Sequence, residues 1–233
     1  MRCGLVCSSL LAAVTGGAAF LVTAAPAAAP LNEVPQIPAL QRFLATDRTI
    51  VHQVTSVRRL EARNDHFDTE AWMEVRATAD EKGFRYTVLD EGGPGLVRSK
   101  ALRGTLEQES KWWNSHDVER TWFTPDNYEF EDGGTEPDGL ARIGVTPKRK
   151  DMLLMNGTIF LKPDDGELVR IEGSPARSPS FWTRRLHVVR RYARIAGVHL
   201  PVAVESSAQI RMAGSATFSV TYKYESVNGT RVE

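Results

Sequence analysis

The stretch VHLPVAVESSAQIRM, residues 198–212, decides the fold. Val198, Leu200, Val202, Val204, Ala208, Ile210 and Met212 share one parity, so a single extended strand places them all on one face. At ~3.3 Å per residue such a strand spans on the order of 50 Å, whereas a common strand has about five or six residues. A flat strand of that length overhangs a domain of this size, so the sheet has to curl. The residues that follow supply a partner. A turn at Ala213-Gly214-Ser215 sets Met212 opposite Ala216, Ile210 opposite Phe218, Ala208 opposite Val220, Ser206 opposite Tyr222 and Val204 opposite Tyr224. On the other face Glu205 meets Lys223 and Gln209 meets Ser219, so apolar groups and opposite charges match along the whole ladder.

Upstream, a third long strand is expected, rich in cations: Arg184, Arg185, Arg190, Arg191 and Arg194 surround His187 and Tyr192. A two-residue turn at Ala196-Gly197 puts Arg191 opposite Val202, Arg185 opposite Ala208 and His187 opposite Ser206, on the apolar face. Arg190 then falls on the polar face, diagonal to Glu205. Two readings stay open: protection of a strand edge with cross-strand ion pairs, or cations at the mouth of an apolar cavity.

Both cysteines, Cys3 and Cys7, lie in a segment with the marks of an export signal. Arg2 is the positive start, Leu5 to Val22 the apolar run, and Ala25-Pro26-Ala27 the small-residue cleavage site. Cutting after Ala25 or Ala29 would leave a proline next to the cut, so cleavage is expected after Ala27. An uncleaved anchor is the alternative, because the run is almost long enough to span a bilayer. The expected organisation is a signal peptide over 1–27, an Ala/Pro-rich linker over 28–36, and one domain over 37–233. About 200 residues suffice for one domain with a full core and no disulfide. The 29 basic and 29 acidic residues, less Arg2, leave a near-neutral exported chain with no global attraction to nucleic acid. No later stretch approaches membrane-spanning length.

Working inward, Ile37, Leu40, Phe43 and Leu44 line one side of a short helix. Ala71, Met73, Val75 and Ala77 alternate with polar residues as a half-buried strand, and Tyr86 and Val88 continue the pattern after a turn at Lys82-Gly83. Gly92-Gly93-Pro94-Gly95 breaks the chain. From Ser99, a possible N-cap, to about Asn114 the period becomes helical, with Leu102, Leu106 and Trp113 on one face. Asn156-Gly157 is expected to turn a hairpin between Met152–Met155 and Thr158–Leu161, and Asp164-Asp165-Gly166 to make the next turn. Glu129, Glu131, Asp132, Glu136 and Asp138 read as a solvated acidic loop without the EF-hand spacing.

No catalytic motif stands out. Histidines 52, 66, 116, 187 and 199 lack metal-ligand spacing, no G-x-S-x-G is present, and Gly92 to Gly95 is not a phosphate loop. No cofactor or metal is implied.

The short N-terminal helix, the long curled antiparallel strands and the interposed helix resemble the LolA/LolB-like half-barrel proteins of the bacterial envelope. The run Met152–Leu161, the turn Lys162-Pro163-Asp164-Asp165-Gly166-Glu167-Leu168, and the segment Ala176-Arg177-Ser178-Pro179-Ser180-Phe181-Trp182 carry the likeness. It implies an apolar cavity for acyl chains between a concave sheet and covering helices.

The expectation is therefore an α+β, mainly β fold: a strongly curved antiparallel sheet, a half-barrel or open barrel, with one or two helices over the concave face. The expected function is non-enzymatic binding or carriage of a lipid, lipoprotein or other amphiphile, with a possible envelope protein as partner. Candidate ligand contacts are Leu102, Leu106 and Trp113 from the helix and the aromatics Phe181, Trp182 and Tyr222. Val202 and Val204 from the long strand and the cations Arg185 and Arg191 complete the set. A signalling or scaffold module with a filled core, and a hydrolase with a scattered site, remain alternatives.

Overall fold

The computed structural model describes residues 34–46, 51–113, 118–178, 183–212 and 214–232. Helix α1 (Pro38–Ala45) starts with proline, whose missing N–H costs nothing in a first turn, and buries Ala39 and Leu40. Three strands follow: β1 (Val54–Asn64), β2 (Thr69–Asp80) and β3 (Gly83–Gly92). The glycine break then leads into a helical segment. Helix α2 (Gly95–Val97) runs into a π-helical turn, Arg98–Arg103, and on into α3 (Gly104–Trp113). This segment begins four residues before Ser99, with Pro94 at its N-cap, so Ser99 is no cap; its hydroxyl donates instead to the Leu96 carbonyl at 3.1 Å.

The remaining strands are β4 (Tyr128–Thr135), β5 (Ala141–Pro147), β6 (Met155–Leu161), β7 (Leu168–Pro175), β8 (Thr183–Ile195), β9 (Val198–Ile210), β10 (Gly214–Val227) and β11 (Thr230–Arg231). All are antiparallel in one sheet of order β3-β2-β1-β10-β9-β8-β7-β6-β5-β4, with β11 beside β10. The pairing of β1 with β10 brings the first and the last long strand together, and among the described residues β3 and β4 are the edges. The sheet is an open half-barrel. Register shifts at Thr55/Ser56, Glu74/Val75, Phe160/Leu161 and Arg191/Tyr192 supply the local bends that a curled sheet requires.

One row of paired residues crosses the sheet: Ile143, Ile159, Ile171, Arg190, Val204, Val220, Leu60 and Met73. Leu102 and Leu106 pack with Leu60, Met73 and Val220, while Ala39 and Leu40 of α1 pack with Ile143, Ile159 and Ile171. Both helical covers therefore lie on the same, inner, face of the sheet, and each closes its own apolar cluster.

Several expectations are corrected. Asn156-Gly157 makes no hairpin: both residues lie inside β6, where they pair with Ser174 and Gly173. The turn is the next one, in which Gly166 (φ +73°) sits so close to α1 that a Cβ would lie 2.6 Å from the Phe43 nitrogen. Glu129, Glu131 and Asp132 belong to edge strand β4, where charge discourages pairing with a second sheet.

The register of β9 and β10 also differs. Ile210 pairs with Gly214, Ala208 with Ala216, Ser206 with Phe218, Glu205 with Ser219 and Val204 with Val220. The turn lies two residues earlier than expected, with Met212 at φ +65°. An even slip leaves each residue on its expected face, which is why apolar matching could not detect it. Glu205 takes Arg191 as its partner, at 2.5 Å, in place of Lys223.

Candidate ligand-binding face

Ala196 (φ +47°) and Gly197 (φ +79°) do form the two-residue turn joining β8 to β9. From there Tyr192 pairs with Pro201, but Arg191 pairs with Ala203, so Val202 is an extra residue in β9. That bulge inverts the arginine assignment. Arg190, not Arg191, stands opposite Val204 and Ile171 on the inner face. Arg185 (opposite Gln209), His187 (opposite Ser207) and Arg191 lie on the outer face, and Arg185 and His187 line a groove of about 590 Å³ with Ser207 and Gln209.

The two helix-covered clusters do not meet. Between them the inner face of β8, β9 and β10 carries Leu186, Val188, Val204, Ala208, Ile210 and Phe218, all half-buried. The row beside the Arg190 row runs Val145, Gly157, Gly173, Val188, Ser206, Phe218, Ala62 and Ala71, mostly small side chains. Small residues thus stand beside a row of Ile, Leu and Val along this half-buried strip, the inner-face trough.

At one side of this trough lies a polar cluster that the sequence reading missed. Arg58 is only 5% exposed and donates to Glu109 of α3 at 2.6 Å and to the Ser56 hydroxyl at 3.0 Å. Its guanidinium lies 5.2 Å from the Phe84 ring centre and 5.0 Å from that of Tyr222, its partner on β10. Tyr222 stacks on Tyr224, whose hydroxyl donates to the Pro201 carbonyl at 2.6 Å. Burial pushes the Tyr222 phenol above its ordinary value, with Arg58 pulling the other way; burial raises Tyr224 too. Arg190 is exposed on the inner face, opposite Val204 and Ile171. Tyr192 beside it holds its pKa above the ordinary arginine value. The legible signal was parity: Val54, Ser56, Arg58, Leu60 and Ala62 alternate in β1, with a charge at an inner position.

The other sequence candidates separate. Leu102 and Leu106 are fully buried core. Trp113 packs against the same cluster and donates its indole N–H to the Asp80 carbonyl at 3.0 Å. Val204 and Tyr222 lie at the trough, and Val202 occupies the bulge. Phe181 and Trp182 lie outside the described residues. No helix among the described residues is long and apolar enough to cross a membrane.

No family model matches this chain, and no curated protein matches its sequence. Among solved structures it is similar to a LolA superfamily protein from Nitrosomonas europaea, with a TM-score of 0.43 and 11% identity over 79% of this chain and 90% of that one. A putative outer membrane lipoprotein-sorting protein domain from Vibrio parahaemolyticus gives a TM-score of 0.39 at 8% identity, covering 81% of this chain and 89% of its own. A DUF1329 family protein from Desulfovibrio piger gives 0.38 at 11% identity, over 79% and 88%.

His199 stacks on Tyr192 at 5.1 Å, and its Nε2 is buried without a hydrogen-bond partner. Burial lowers its pKa below 6.5. The unfolded chain therefore binds the proton first as pH falls through 6.5, and stability drops, by at most about 1.4 kcal/mol per pH unit for one proton. His199→Phe keeps a ring for the stack and is expected to flatten this fall. Urea midpoints measured from pH 7.5 to 5 check it; equal pH slopes in both proteins would refute it.

Proposed function

We propose that this protein binds and carries a lipid, lipoprotein or other amphiphile in the bacterial cell envelope, its acyl chain lying along the inner-face trough. The observation that carries this reading is the half-buried apolar strip of β8, β9 and β10, left open between two clusters that α1 and α3 close. Such a strip, floored by small residues, fits a chain and offers few groups that would demand a particular polar ligand. The N-terminal features fit export: we read 1–27 as removed after Ala27 and 28–36 as a linker to the half-barrel domain. No step of this function is chemical.

Each enclosed methylene contributes about 0.8 kcal/mol, so a twelve-carbon chain reaches roughly micromolar affinity after ordering costs. Titration of delipidated, folded protein with a fluorescent fatty acid is expected to saturate. Ala208→Asp, which puts a charge on the trough at a small half-buried position, is expected to weaken binding at least about tenfold. Absence of saturable binding in the wild type would favour a scaffold with a filled core.

A further inference from the structure

The Arg190 row is apolar at every other position. Ile143, Ile159 and Ile171 flank the arginine on one side, and Val204, Val220, Leu60 and Met73 on the other. A cation there interrupts a row that would pack better with a further isoleucine or valine. It does not protect an edge, because β8 is paired on both sides. Nor does it make an ion pair: among the described residues no carboxylate lies within ion-pairing distance of it, whereas Arg191, next in sequence, is paired with Glu205 on the outer face. The charged groups sharing its surroundings are Arg58 and Glu109, and these satisfy each other at 2.6 Å. Among the described residues this sets two guanidiniums against one carboxylate around Tyr222, an excess of one positive charge on Arg190. Tyr192 and Tyr222 bring phenolic hydroxyls to the same place.

We propose that Arg190 is the subsite for a single oxyanion, the carboxylate or phosphate head of an amphiphile whose chain occupies the trough, with the Tyr192 and Tyr222 hydroxyls as further donors. This rests on the chain-binding reading above and adds the class of head group. One oxyanion neutralises that excess charge, and a guanidinium binds it with charge-assisted hydrogen bonds. The chain then lies over Val204, Val188 and Ala208. A neutral head group leaves the arginine without a partner and forfeits that interaction.

The test uses a dansyl-labelled undecanoic acid and its methyl ester, which share a chain and differ by one charge. The delipidated exported protein is expected to bind the acid roughly tenfold more tightly than the ester at low salt. The preference should shrink as salt rises. Arg190→Gln should abolish it, and Arg190→Lys should keep part of it. Arg191→Gln, on the outer face, should leave it intact. Near-UV circular dichroism of each variant reports folding, and Arg190→Lys decides the matter should Arg190→Gln fold poorly. Inorganic phosphate at matched ionic strength should not displace the acid, which separates an amphiphile's head from a free anion; displacement would assign the site to a free anion and overturn the proposal. Equal affinity for acid and ester in the wild type overturns the subsite but leaves chain binding standing. A preference that survives in Arg190→Gln also overturns it. Failure of both probes to bind removes the chain-binding reading and the subsite together.

Discussion

Gly157→Val is expected to destabilise the protein by about 4 kcal/mol or more, a large share of the roughly 5–15 kcal/mol that holds a domain folded. Gly157 pairs with Gly173 across β6 and β7. A Cβ on Gly157 would lie 2.0 Å from the Glu172 carbonyl oxygen and 2.6 Å from the Gly173 Cα, and a Cβ on Gly173 would lie 2.3 Å from the Asn156 oxygen. These atoms are backbone, so no rotamer change relieves the clash. The strands would have to part, losing ladder hydrogen bonds and unpacking Ile159 and Ile171 from α1. Gly144→Ala is the control. Its Cβ would make ordinary contact, 3.4 Å from the Glu131 Cβ, and a change within about 1 kcal/mol is expected. Urea denaturation of the three proteins checks this, and a Gly157→Val variant as stable as Gly144→Ala would refute the close approach.

Removing the counter-ion of Arg58 has the next largest effect. Glu109→Gln leaves a guanidinium that is 5% exposed without its carboxylate, 2.6 Å away in the native protein. Breaking a buried pair costs about 3–5 kcal/mol, but Glu109 is 30% exposed, so a loss of about 2–3 kcal/mol is expected. The double variant Arg58→Met, Glu109→Leu removes both charges and is expected to recover most of the loss, because neither charge is left buried alone. A thermal-denaturation cycle of Arg58→Met, Glu109→Leu and the double variant checks the coupling; additive losses would mean that the two residues act independently. The same variant raises the inner-face charge by one. Glu109→Gln, if folded, should therefore bind the acid probe more tightly than the wild type while binding the ester unchanged.

What could be read along the chain was parity and punctuation. The alternation from Ala71 to Ala77 became β2, Ile37 to Leu44 became the buried side of α1, and Ala196-Gly197 became the turn between β8 and β9. Leu102 and Leu106 became the core face of a helix over the sheet. These features depend on residues a few positions apart, and each stretch carries its own signal. The missed features depend on a neighbour that is distant in sequence. Asn156-Gly157 has the composition of a hairpin turn, but the glycine is required by Gly173 on the next strand, so the turn rule gave a strand interior the wrong meaning.

The candidate site shows the same division at finer scale. By itself the sequence determined that β8, β9 and β10 are long, that one face of β9 and β10 is apolar, and that a run of arginines lies beside them. Which arginine faces inward was decided by one extra residue, Val202, because a single-residue bulge exchanges the two faces of everything beyond it. That choice placed Arg190 in the trough and Arg191 against Glu205. Pairing of Arg58 with Glu109 needed α3 laid across β1, a contact between residues 51 apart in sequence. Period-two alternation says that two faces exist; only the pairing of strands says which charge lies on which, because burying an unpaired cation is costly and the fold must bring its partner from elsewhere in the chain.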